Sequence, residues 1–188
     1  MGTSLRLILI GTFCVSTARA ELRLTPSIDE FELDGAKLKQ LAFSDGDKKV
    51  TYQSPRGWDY SGSATQLTLR PPKKAQASAT ITRIPLSAPG NFEEENLKKL
   101  VTETTALIPK GSTNVTVVSQ EKNPLRINRK ETFLVILKYD FYGESYGRSI
   151  LFLNRDNEQI RFQLTSRQGD FNELQKAFLG SQYSWQNL

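Results

Sequence analysis

Between Thr132 and Thr165 the chain holds three strand-length segments, Thr132–Phe141, Tyr146–Leu153 and Glu158–Thr165. Only Tyr142-Gly143-Glu144-Ser145 and Asn154-Arg155-Asp156-Asn157 separate them. A parallel crossover consumes a dozen residues or more, so links this short force successive strands to run antiparallel. The C-terminal half is therefore built on an antiparallel meander, and the remaining elements must cover its faces.

Upstream, the same period of two recurs. Leu38–Phe43 and Val50–Gln53 flank Ser44-Asp45-Gly46-Asp47, whose Asp-Gly pair supplies the left-handed backbone of a hairpin turn. Gln66–Arg70 alternates and stops at Pro71-Pro72, and Ala77–Ile84 alternates with small or apolar residues at the odd positions up to Ile81. At Asn91 the period changes. Phe92, Leu97, Leu100, Val101, Thr104, Leu107 and Ile108 recur at helical spacing, with Asn91 and Glu94 placed as a capping box and Pro109 and Gly111 as the stop. Val115–Ser119 is a short strand candidate. Asp170, placed as N-cap, opens a second amphipathic helix with Phe171, Leu174, Ala177 and Phe178 on one face. The order predicts an α+β protein, an α/β/α sandwich whose central antiparallel sheet is flanked by helices.

The N-terminus carries the marks of export. Arg6 precedes an apolar run from Leu7 to Val15, and Ala18 and Ala20 form a small-x-small site, predicting a signal peptide over 1–20 cleaved after Ala20. The run is short of the roughly 20 residues that span a bilayer, so no transmembrane anchor is expected after cleavage. Residues 21–37, polar with isolated apolar positions, read as a flexible lead-in, and 38–188 as a single domain. Removing Arg6 and Arg19 leaves 23 basic and 20 acidic residues, too even a balance for a nucleic-acid footprint. Cys14 departs with the same segment, so thiolate chemistry and disulfides are not expected in the mature chain.

The chain contains no histidine. Ser-His-Asp and Cys-His nucleophiles, His-ligated metals and haem histidines are thereby excluded. Asp45, Asp47, Asp156 and Glu158 are turn carboxylates too sparse for a calcium loop. Ser145, Ser149, Lys138, Asp140 and Glu144 gather near one turn, but no nucleophile motif surrounds them. No enzyme activity, cofactor or metal is expected.

Tyr52-Gln53-Ser54-Pro55-Arg56-Gly57-Trp58, a strand running into Pro-x-Gly-Trp, followed by a helix, an aromatic-rich meander and a short last helix, resembles the PsbP-like fold. That family includes the extrinsic PsbP protein of photosystem II, a Ran-binding Mog protein and DcrB-type exported bacterial proteins. The likeness runs from about Phe43 to Trp185. It implies a central antiparallel sheet between helices and a non-enzymatic binding or assembly module, without choosing the partner.

Two candidate sites emerge. Tyr142, Glu144, Tyr146 and Arg148 cluster about Gly143 with Tyr139, Asp140 and Phe141, an aromatic and charged mixture suited to a protein-interface hot spot; the plainer alternative is core and turn shielding. Trp58 is a candidate pocket wall or, more plainly, an edge plug, and Trp185 has the same plain reading. Arg70 with Lys73 and Lys74, and Lys122 with Arg126, Arg129 and Lys130, form two basic groups that could meet an anionic surface or simply be solvated loops. Asn114-Val115-Thr116 is a glycosylation sequon. The expectation is an exported, monomeric protein-binding module, an assembly or stability factor for an envelope complex, with small-ligand or anionic-surface binding as the alternative.

Overall fold

The structure, a computed structural model, describes residues 21–188. The expected signal segment and its cleavage after Ala20 lie outside the described residues. The elements in chain order are β1 (Leu22–Leu33), β2 (Ala36–Asp45), β3 (Lys48–Tyr52), β4 (Asp59–Gly62), β5 (Gln66–Arg70), β6 (Ser78–Pro85), α1 (Glu94–Ala106), β7 (Thr113–Lys122), β8 (Thr132–Phe141), β9 (Glu144–Arg155), β10 (Glu158–Arg167), α2 (Gln168–Ser181), a 3-10 turn (Gln182–Ser184) and β11 (Gln186–Asn187).

The expected meander forms. β8, β9 and β10 are consecutive antiparallel neighbours, and their links shrink to two residues each, Tyr142-Gly143 and Asp156-Asn157. Tyr142 at φ 50 and Gly143 at φ 78 give two successive left-handed residues, the turn whose twist matches the flanking strands. The seven-stranded sheet they anchor has the order β4-β5-β6-β10-β9-β8-β7, and a second, four-stranded sheet has the order β1-β2-β3-β11.

Alternation then decides what each face buries. On one face of the large sheet Phe133, Val135, Leu137, Ile150 and Phe152 lie against Phe92 and Leu100 at and before α1. On the other face Ile81, Leu134, Leu151, Leu153, Ile160, Phe162 and Leu164 meet the small sheet and Phe171, Leu174 and Phe178 of α2. The expected α/β/α sandwich is met only in part: α1 packs on one face, and on the other α2 shares its layer with the four-stranded sheet. Trp185 joins these layers. It is fully buried, stacked on Phe43 at 5.7 Å, beside Tyr52 at 5.9 Å and edge-on to Phe162 at 5.2 Å.

Four local expectations are corrected. The lead-in over 21–37 is no loose segment: it is β1 and the start of β2, hairpinned at Asp34 (φ 51) and Gly35 (φ 79), with Leu22 and Leu24 fully buried. Asn91 does not cap α1; its Oδ1 accepts the Glu93 N–H at 3.2 Å in a turn before the helix, whose N-cap position is Glu93. Helix α2 begins at Gln168, so Asp170 lies in its first turn, where it complements the dipole and accepts Lys74 Nζ at 2.5 Å. The short strand at Val115–Ser119 extends over Thr113–Lys122 as the sheet's edge.

Candidate functional site

The two-residue turn between β8 and β9 determines what the aromatic cluster can do. Left-handed backbone at both turn residues throws the Tyr142 side chain outward, and its ring is 91% exposed. Phe141 meets it edge-on at 4.4 Å, while behind the turn Tyr139 and Tyr146 stack at 5.6 Å. Asp140 accepts hydrogen bonds from Asn114 Nδ2 at 2.7 Å and Ser145 Oγ at 2.5 Å, and these donors hold its carboxyl below the ordinary carboxylate value. Such a carboxylate is a weak base for activating Ser145. Glu144 faces Arg167 at 3.4 Å, an exposed pair that contributes little to stability.

Arg148 leaves this candidate surface. Its place on β9 points it beneath the end of α1, where it is buried, donates Nη1–H to the Leu107 carbonyl at 2.5 Å and Nε–H to Thr165 Oγ1 at 3.0 Å, and lies 5.7 Å from the Tyr139 ring centre. Burial pulls its guanidinium below the ordinary value and raises the Tyr139 hydroxyl. A cation on the last carbonyls of a helix is a structural cap, so Arg148 holds α1 to the sheet. Trp58 follows the plainer of its two readings, a plug rather than a pocket wall. Its buried ring stacks on Phe178 at 6.1 Å.

The structure adds a site that sequence reading missed. At one end of the sandwich, inward-facing positions that are apolar along each strand become charged: Asp45 follows Leu41 and Phe43, Arg83 follows Ala79 and Ile81, Arg155 follows Leu151 and Leu153, and Glu158 precedes Ile160 and Phe162. They border a cleft of about 580 Å³ with Glu21, Asp47, Lys48, Lys130 and Asp156. Arg155 pairs with Asp45 and, at 3.0 Å, with Glu158; Arg83 pairs with Glu21 and lies 3.6 Å from Glu158. Burial raises the Glu158 carboxyl, with Asp45 adding to it, against the opposing pull of Arg155 and Arg83. The detectable signal was an arginine on the parity of a buried face, at Arg83 and again at Arg155. Among the described residues no group of three or more acidic, Cys or His side chains is arranged to hold a metal ion.

The folded chain binds the Glu158 proton more tightly than the unfolded chain, so this group's contribution to stability falls as pH rises from the ordinary 4.5 through the raised value. We expect Glu158→Gln to remove that downward component from a plot of urea midpoint against pH. An unchanged plot, or a Glu158 carboxyl resonance titrating at the ordinary value, contradicts it.

No protein-family model matches the chain, and no curated protein matches it. Among solved structures, cyanobacterial PsbP from Synechocystis superposes with a TM-score of 0.51 at 10% identity, over 94% of this chain and 98% of that one. The fold is PsbP-like. PA94 of Pseudomonas aeruginosa, a protein of unknown function, superposes with a TM-score of 0.48 at 15% identity, over 83% of this chain and 94% of that one. In this PsbP-like chain the segment Tyr52–Trp58 serves the core: Tyr52 is buried with its hydroxyl 2.7 Å from Ser181 Oγ, and the Trp58 N–H donates to the Pro55 carbonyl at 3.1 Å across Gly57 at φ 77. The basic groups of the PsbP-like domain are partly neutralised. Lys74 is held by Asp170 at 2.5 Å, Lys122 by Glu131 at 3.5 Å and Lys130 by Asp156 at 3.7 Å. Among the described residues no helix is long and apolar enough to cross a membrane.

Proposed function

We propose that this chain is an exported, non-enzymatic protein-binding module, an assembly or stability factor for an envelope or membrane complex. The observation that supports it is Tyr142, 91% exposed at the tip of a two-residue turn, with Phe141 and Glu144 beside it. A rigid aromatic with little rotamer entropy to lose is the kind of residue that dominates interfaces. Export rests on the signal-like segment over 1–20, and the native protein should begin at Glu21 by mass spectrometry.

The test is crosslinking in the native host, followed by capture with the mature chain and with its Tyr142→Ala variant. One reproducible envelope or membrane complex should be captured by the parent. Tyr142→Ala should weaken that capture by about 30-fold or more, the scale of an interface hot spot. Its melting temperature should not move, since an exposed side chain away from packing changes stability by about 0.5 kcal/mol or less. Loss of stability with unchanged capture would assign Tyr142 to folding. The charged cleft supports a second reading, a small polar ligand held there, whose binding would weaken steeply with salt while the aromatic contact would not.

A further inference from the structure

The two sheets have four outer edges, and three of them are poor templates for another strand. β4 has four residues and β11 two, and β7 is interrupted by register shifts between Thr113 and Thr116 and between Val117 and Ser119. β1 is different. Its start crosses tightly over β4: the Leu24 N–H donates to the Ala64 carbonyl at 2.9 Å, and a Cβ at Gly62 would lie 2.6 Å from Pro26 Cδ. The register breaks between Arg23 and Ser27, and from Ser27 to Leu33 β1 pairs without interruption to β2, Ser27 with Ala42 through Leu33 with Ala36. On its other side this stretch has no backbone partner among the described residues. Edge strands normally carry bulges, prolines or inward charges against unwanted pairing, and Ser27–Leu33 has neither a bulge nor a proline.

Its two faces specify what could pair. Glu30 and Glu32 lie on one face, opposite Lys39 and Lys37, with Glu30 3.6 Å from Lys39. Phe31 and Leu33 lie on the other, opposite Leu38 and Ala36, with Leu33 55% exposed, and share it with Asp29, whose charge is already held by Lys49 at 2.8 Å and Gln40 at 2.9 Å. Over residues 29–40 the hairpin carries four carboxylates against two lysines, and with Asp29 paired to Lys49 from β3 the surplus rests on Glu32 and Asp34. A second copy is a poor occupant. In the antiparallel register that sets Phe31 on its own copy, Glu30 faces Glu32 twice, and directly opposed like charges destabilise a sheet.

We propose that the outer edge of β1 over Ser27–Leu33 receives an extended segment of a different protein as an added strand, and that this segment alternates basic with apolar residues. Its Lys or Arg side chains would complete a basic–acidic–basic ladder across Lys39–Glu30 and Lys37–Glu32, and its apolar side chains would cover Phe31 and Leu33. Main-chain hydrogen bonds would hold it, and the alternating side chains would select it. This surface is separate from the Tyr142 turn and does not depend on it.

The probe is a fluorescein-labelled peptide alternating lysine and valine over seven residues, titrated into the chain beginning at Glu21 and followed by anisotropy. Saturable binding is expected. It should weaken about tenfold or more for the Glu30→Gln/Glu32→Gln double variant, for a glutamate–valine peptide, and for a lysine–valine peptide N-methylated at alternate residues to remove its donors. Tyr142→Ala should bind the peptide as the parent does, which separates this site from the proposed aromatic interface. Circular dichroism confirms that the double variant is folded, and Phe31→Ser tests the apolar face independently. Equal binding of the N-methylated or the acidic peptide, or no binding of the basic one, overturns the proposal. So does a dimer in sedimentation that the peptide cannot displace.

Discussion

Replacing Trp185 with alanine is expected to lower the unfolding free energy by about 3–5 kcal/mol. The indole is fully buried where the small sheet, through Phe43 and Tyr52, meets the large sheet at Phe162. Truncating it leaves a cavity that neither sheet can collapse into without losing its own register. For a domain of this size each kcal/mol moves the melting temperature by roughly 2–4 °C, so the loss should be plain in both thermal and urea melts. The indole N–H has no hydrogen-bond partner among the described residues, so Trp185→Phe forfeits packing alone. It should cost less than half as much as Trp185→Ala. Equal losses for the two would show that the ring's volume is not what joins the sheets.

The second large effect is expected from Arg155→Met. The guanidinium bridges Asp45 on β2 of the small sheet and Glu158 on β10 of the large one, and all three side chains are mostly buried. Removing the cation strands Asp45 in a poorly solvated place and leaves Glu158 with Arg83 alone, 3.6 Å away, a change that destabilises by about 3–5 kcal/mol when pairs are buried. Adding Asp45→Asn and Glu158→Gln to Arg155→Met should recover much of the loss, because the stranded charges are then gone. The measurement is a set of urea melts closing the mutant cycle. Additive losses would mean that the three groups do not act as one network.

The elements that could be read from the sequence are those whose signal is local. The meander follows from link length, and its strands from alternation; α1 and α2 follow from helical spacing, with their starts displaced by a few residues because capping depends on backbone angles that composition does not set. The β1–β2 hairpin was within reach, since Asp34-Gly35 is the same pair that marks the Asp45-Gly46 turn. Its strands are hard to read from sequence because β1 carries charges on both faces, Asp29 on one and Glu30 and Glu32 on the other. Tyr142 and Glu144 stand at an exposed turn where the sequence places them, because a two-residue turn leaves its side chains no interior to enter. Arg148 does not, since its direction depends on the end of α1, 41 residues away in the chain.

By itself the sequence determined the two helices, the antiparallel order of β8 to β10, the exclusion of histidine chemistry and the inward parity of β6, all of which are properties of spacing and composition. Only the tertiary structure decided which charges meet. The cleft draws Asp45, Arg83, Arg155 and Glu158 from four strands and Glu21 from just before β1, and the free edge of β1 exists because Gly62 lets Pro26 pass over β4 and leave the large sheet behind. Contacts of that kind depend on how two sheets are laid against each other, which is set by the summed packing about Trp185 rather than by any local run of residues.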